Sequence, residues 1–246
     1  ITGIEANIND SWVKINNQNY TMSCIGSSPY YCNYTFIGTN NPYNFTAYIR
    51  DKVGNINNTE TRKVTIDTIN PQIIITYPTN NSNFSYQNIN INYTVSDINL
   101  ASCRWTNNSG LSNNSLINCV NINNQNWSEG LNNVIIYSND SAGNINSSSV
   151  NFRVDLTAPS ISIASLTNND IYKDLYSYNL SLNVSASDSG VWVQAYKYSL
   201  NGNSNITFTP NITFIGIAGQ NNLTVYVNDS LGNTNSSSIT FNLTFT

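Results

Sequence analysis

Asp51-Lys52-Val53-Gly54-Asn55 recurs as Asp140-Ser141-Ala142-Gly143-Asn144 and again as Asp229-Ser230-Leu231-Gly232-Asn233, eighty-nine residues apart each time. An alternating run precedes each copy: Phe45, Ala47, Ile49; Val134, Ile136, Ser138; Leu223, Val225, Val227. Tyr48, Tyr137 and Tyr226 stand three residues ahead of the aspartates. A second alternating run follows each copy: Val64-Ile66, Val150-Phe152-Val154 and Ile239-Phe241-Leu243. Period-two alternation on both sides of an Asp/Gly/Asn cluster reads as strand, turn, strand. The aspartate caps the turn with its carboxylate, while Gly and Asn tolerate positive φ. Repetition at this period predicts an all-β chain of three tandem β-sandwiches in an extended rod.

Outward from the turns, Ile4-Ala6-Ile8, Ile89-Ile91-Tyr93-Val95 and Leu180-Leu182-Val184-Ala186 read as one strand position in the three repeats. Asp10, Asp97 and Asp188 then align as the turn that follows it. The next strand carries Trp12, Trp105 or Trp192, each expected to pack between the sheets. Asn16-Asn17-Gln18-Asn19 and Asn201-Gly202-Asn203 read as hairpin turns, and residues 106–128 as short strands and loops.

The junctions repeat as well. Val64-Thr65-Ile66-Asp67-Thr68-Ile69-Asn70-Pro71 matches Phe152-Arg153-Val154-Asp155-Leu156-Thr157-Ala158-Pro159, and each leads straight into a new strand. A linker of about four residues with a proline predicts stiff coupling. The D-x-x-G-N hairpin and the V-D-x-T-x-P-type junction resemble bacterial and archaeal immunoglobulin-like repeats of cell-surface proteins. The resemblance spans the chain and implies an extracellular stalk, adhesin or surface-fibre role. It divides the chain at 1–68, 69–156 and 157–246. Thr244 stands where the other repeats have Asp67 and Asp155, and the first repeat lacks its first strand.

Charged residues make up only 9% of the 246 residues, and 39% are hydrophobic. Asn is roughly a fifth of the chain, far above average usage. With 16 Tyr, 8 Phe and 4 Trp a packed β core is within reach. Nine basic residues against 13 acidic ones form no phosphate-tracking stripe, so no nucleic-acid partner is expected. No apolar run reaches the roughly 18 residues of a membrane helix. The chain opens on Ile1 rather than Met, which fits a removed leader or a piece of a longer protein.

Cys24 with Cys32 and Cys103 with Cys119 is the only pairing that keeps each bridge inside one repeat. Free buried thiols are the alternative; a zinc site lacks both His and C-x₂-C spacing. Two local disulfides imply an oxidising, extracellular or cell-surface location. Asn-x-Ser/Thr occurs about twenty times, Asn19, Asn44, Asn92, Asn139, Asn183 and Asn228 among them. An Asn-, Ser- and Thr-rich chain makes such triplets by chance. Covalent N-linked glycans are nonetheless expected, best at Asn139 and Asn228 beside the hairpin tips.

Catalysis finds little support. The chain has no His for a Ser–His or Cys–His pair. Eight of its ten Asp hold repeat positions, as turn and linker residues do. The sharper reading of those aspartates is calcium: Asp67 with Asp97 or Asp140, and Asp155 with Asp188 or Asp229. No D-x-D-x-D-G loop accompanies them, and a structural turn role is the alternative. Tyr30, Tyr31, Tyr172, Tyr176, Tyr178, Tyr196 and Tyr198 are candidates to stack on sugars or a partner, against plain core packing. No cofactor and no enzymatic activity are expected.

The function expected from all this is a structural subunit of an extracellular filament or surface layer, joined end to end with copies of itself. The alternative is an adhesin stalk that binds glycan or another cell. The missing first strand leaves two readings: the chain is cut from a longer array with that strand covalently upstream, or a neighbouring subunit supplies it by β-strand addition. The start of the chain (Ile1, Ile4, Ala6) is the expected acceptor, and the tail with Leu243 and Phe245 the donor.

Overall fold

A computed structural model describes residues 2–3, 7–26, 29–107, 113–174 and 179–245. Ile1, Ile4, Ala6, Tyr176 and Tyr178 lie outside them, so the expected acceptor residues receive no structural account. Among the described residues the chain is strand and loop, with one 3₁₀ turn at Ile117–Cys119. The fold class is therefore all-β, built as β-sandwiches. Two compact units divide the chain: Ile1–Gln72 with Val95–Ser102 and Ser138–Asn146, and Ile73–Thr94 with Cys103–Tyr137 and Ser147–Thr246.

In the first unit, Ile8–Ile15 lies between Gln18–Thr21 and Pro42–Asp51, and the latter also pairs with Ile56–Asn58 and Arg62–Thr65. Alternation puts Val13 and Ile15 on the core face. The opposing sheet is Thr2–Gly3, Tyr30–Asn33 and Ser23–Ile25. The Cys24–Cys32 bridge joins directly paired positions of its last two strands.

Two expectations change here. Asp10 is not a turn residue: Ile8–Ile15 is one strand, with a bulge between Ile8 and Asp10. The Asp10 carboxylate instead accepts from Arg50 across the sheet, Nε to Oδ1 at 3.0 Å. Trp12 faces away from Val13, stacking on Tyr48 at 5.2 Å beneath Arg50. An apolar groove of about 310 Å³ opens beside Val13, Ile15, Met22, Phe36, Tyr43 and Val64. Along it, the outer side of Arg62–Thr65 has no strand partner among the described residues.

Two more five-stranded sheets each carry a strand at that edge. One orders Ser82–Phe84, Ile145–Val154, Gly130–Asp140, Leu100–Asn107 and Asn114–Leu116. The other orders Asp170–Asp174, Thr234–Phe245, Gly219–Asp229, Val193–Leu200 and Ile206–Phe208. In each, the first strand of the repeat crosses between sheets. Ser160–Ile163 pairs with Val184–Ser187, and the chain then returns at Asp170–Asp174 to run parallel to Phe241–Phe245. Ser82–Phe84 runs parallel to Phe152–Val154 in the same way.

A Thr-Asn-Asn corner makes each crossing. Asn80 Oδ1 accepts the Asn151 N–H at 2.9 Å, and Asn168 Oδ1 accepts that of Thr240 at 2.8 Å. Asn81 and Asn169 follow at φ 65° and 64°, left-handed values that Asn tolerates. The returning strands lay Phe84 against Phe152 and Tyr172 against Phe241, both at 6.0 Å.

Of the three expected core tryptophans only Trp105 is buried; Trp192 is 67% exposed. The better-buried one is Trp127, 1% exposed, in the stretch expected to be short strands and loops. Its ring packs edge-on to Trp105 and Phe152, each at 5.4 Å, and its Nε1 donates to Ile89 O at 2.7 Å. Cys103–Cys119 ties the strand before it to the 3₁₀ turn. The tail is also resolved differently from expectation. Leu243 is 3% exposed, in one core with Leu182, Phe214 and Phe241. Its strand pairs on both sides, with Gly219–Asp229 and with Asp170–Asp174. A strand held on both edges and in the core is not free to be donated, so the tail is withdrawn as donor; Phe245 pairs with Asp174.

Candidate functional site

Each D-x-x-G-N turn is built around its aspartate. Asp51 Oδ1 accepts the N–H groups of Val53 and Asn55 at 3.0 and 2.8 Å, while Oδ2 accepts the Asn55 side-chain amide at 2.8 Å. Asp140 and Asp229 repeat these contacts with Ala142 and Asn144, and with Leu231 and Asn233. Gly54, Gly143 and Gly232 hold φ of 96°, 95° and 91°, as a turn of this shape needs. The closing Asn is not at positive φ; its amide serves the aspartate.

That same Asn reaches the linker. In the first unit Asn144 Nδ2 also donates to Asp67 O at 3.1 Å, and Asn146 Nδ2 to Pro71 O at 2.8 Å. In the second unit Asn233 Nδ2 donates to Asp155 O at 3.1 Å, and Asn235 Nδ2 to Pro159 O at 2.9 Å. Both linkers are thus clasped at two carbonyls by a turn.

The clasp brings three carboxylates together each time. Oxygens of Asp67, Asp97 and Asp140 lie within 4.8 Å of one another, and so do those of Asp155, Asp188 and Asp229. The sequence pairs each linker Asp with one turn Asp or the other; the structure brings in both. The ion pairs among the described residues are Arg50–Asp10 and Arg62–Glu60, so neither triad has a basic partner there.

Burial separates the triads at the linker aspartate: Asp155 is buried and Asp67 only partly so, whereas Asp140 and Asp229 are both buried and Asp97 and Asp188 both partly so. Asp155 Oδ1 accepts the Thr157 N–H at 3.2 Å, but its Oδ2 and that of Asp188 are buried with no hydrogen-bond partner. Burial raises the Asp155 carboxyl above its ordinary value; the Thr157 N–H opposes this, and the charges of Asp188, Asp229 and Glu129 reinforce it. Burial also works to raise Asp140, but the Asn144 amide and three backbone N–H groups outweigh it and leave that carboxyl below its ordinary value.

Orphaned buried carboxylate oxygens beside other carboxylates fit a hard divalent cation, which takes six to eight oxygens at roughly 2.3–2.6 Å when it is calcium. Asp155, Asp188 and Asp229 would hold it, with backbone carbonyls and water completing the shell. Bound there, the cation supplies charge neutralisation and a cross-link between linker and turns.

The other candidates are placed less favourably. Asn139 and Asn228 are half-buried, and their amide nitrogens donate to the carbonyls of Asp140 and Asp229 at 3.3 and 2.9 Å. Asn19, Asn44 and Asn183 are exposed, and Asn92 is half-buried. Tyr196 and Tyr198 turn inward on Phe208 at 5.9 and 5.7 Å, and Tyr172 lies on Phe241. Tyr30 is partly buried against the first core, and Tyr31 is exposed.

No protein-family model matches the chain, and no curated protein matches it. Solved structures do. Fibronectin(III)-like modules of Clostridium thermocellum CbhA match over 71% of this chain and 95% of theirs, at 16% identity and a TM-score of 0.35. A bacterial ice-binding adhesin matches over 98% of this chain and 88% of its own, at 13% identity and 0.36. The protocadherin GammaB4 extracellular domain matches over 96% and 43%, at 12% identity and 0.47. At these identities and scores the likeness carries nothing about ligand, partner or role.

Proposed function

We propose that this chain is a structural module of the cell exterior, a subunit of an extracellular filament or surface layer. The observation that carries the reading is the repeated linker clasp, in which turn asparagines and aspartates serve to fix linker backbone. Two local disulfides and exposed sequons at Asn19, Asn44 and Asn183 support an extracellular setting with N-linked glycans. Bound calcium at Asp155, Asp188 and Asp229 adds a cross-link to the clasp on that linker.

Subunits join end to end by β-strand addition, with a segment of the next copy other than the doubly paired Thr234–Phe245 as donor. The acceptor is the groove beside Arg62–Thr65, the position that Ser82–Phe84 and Asp170–Asp174 occupy in the other two sheets. Such a contact is heterologous and propagates a filament. The test is electron microscopy of the purified chain at rising concentration, beside a Val64→Lys variant. Filaments in the wild type and not in the variant are expected. A wild type that stays monomeric throughout contradicts the assembly. The second reading, an adhesin stalk, is favoured by the same clasps, which suit a spacer that never polymerises.

A further inference from the structure

The two aspartate triads differ at one position. Asn99 and Gly190 each stand two residues after the middle aspartate, in Asp97-Ile98-Asn99 and Asp188-Ser189-Gly190. Their backbones do the same work: the Asn99 N–H donates to Asp97 Oδ1 and the Gly190 N–H to Asp188 Oδ1, both at 2.7 Å. Their side chains do not. The Asn99 amide donates to Asp67 Oδ2 at 3.0 Å. At Gly190 there is no side chain, and the matching oxygen, Asp155 Oδ2, is buried and unpartnered. A Cβ on Gly190 would lie 2.1 Å from that oxygen and 2.2 Å from Asp155 Cγ. The Asp155 carboxylate therefore occupies the very space a side chain would take.

We propose that the triads are not equivalent: Asp155, Asp188 and Asp229 hold one calcium-type divalent cation, while at Asp67, Asp97 and Asp140 the Asn99 amide stands in for the cation and none binds. This rests on reading the triads as cation sites at all. A buried carboxylate oxygen without a donor is costly to leave unmade, and three carboxylates in one place repel one another. In the first triad an amide donor to Asp67 and that residue's own partial exposure to water relieve both costs. In the second, Asp155 is 1% exposed and its Oδ2 has no donor, with Glu129 adding to the negative field. A divalent cation supplies the missing partner and the missing charge together.

Equilibrium dialysis and titration calorimetry of the whole chain with calcium chloride test this. The variants are Asn99→Gly, Asn99→Ala and Gly190→Ala, each checked for native circular dichroism. The position-99 pair guards against either one failing to fold. One ion is expected in the wild type, two in both position-99 variants, and none in Gly190→Ala. Two ions in the wild type, which would mean that Asn99 turns its oxygen inward as a ligand, overturn the inequality but leave the cation reading standing. So does a single ion persisting in both position-99 variants, or in Gly190→Ala. No ion in the wild type or any variant ends the cation reading itself.

Discussion

Asp51 isolates what the turn aspartate contributes without a linker beside it. The Asn55 amide and neighbouring N–H groups hold its carboxyl below its ordinary value, so the fold favours the charged form. A carboxyl depressed by folding stabilises the native state above its unfolded pKa, and that stabilisation is lost as pH falls through the folded pKa. Asp51→Asn should therefore lower the melting temperature at pH 7, with the gap to wild type closing as the pH drops below the carboxylate range. A gap that stays constant with pH would assign the effect to shape rather than charge. The turn aspartates were legible in the sequence because the motif repeats three times around one Gly. Asp10 was not: it shares a type and a spacing with Asp97 and Asp188, but its partner Arg50 lies on another strand. Asn99 and Gly190 were equally hidden, since only contact with Asp67 and Asp155 gives them meaning.

Among the elements, the strand Asn92–Ser96 carries a testable defect. The Tyr93 hydroxyl is buried without a hydrogen-bond partner, and burial pushes its pKa up to about 12. An unpaired buried polar group costs about 1–3 kcal/mol. Tyr93→Phe should keep the ring and raise stability by about 1 kcal/mol in denaturant unfolding; a clear loss would mean that the hydroxyl has a partner. Alternation marked the strands on either side of the D-x-x-G-N turns, because one face of each is buried. The returning half of the sheet-crossing first strand left little trace, since Ser82–Phe84 is short and its partner is parallel and distant in sequence. Trp127 went unread for a related reason: its neighbours are isolated bridges such as Ile91 with Ile122, too short for a period to show. The tail alternates like any edge strand, and only its pairing on both sides shows that it is spent.

Over the whole molecule, surface and linkers decide the role. Glycan mapping of the native protein should find Asn19, Asn44 and Asn183 occupied before Asn139 and Asn228, whose amides are already engaged. The reverse order would contradict the exposure argument, and a bare mass of 27.2 kDa would remove the glycans altogether. In the proposed arrangement the turns fix both linkers, one through hydrogen bonds alone and the other with a cation. Amide hydrogen exchange, with calcium and with chelator, reads both linkers in one sample. Calcium should slow exchange at 155–159 and around 188–191 and 229–233, and leave 67–71 unchanged in its already protected state. Fast exchange at 67–71 in either condition, or no response at 155–159, would contradict the account.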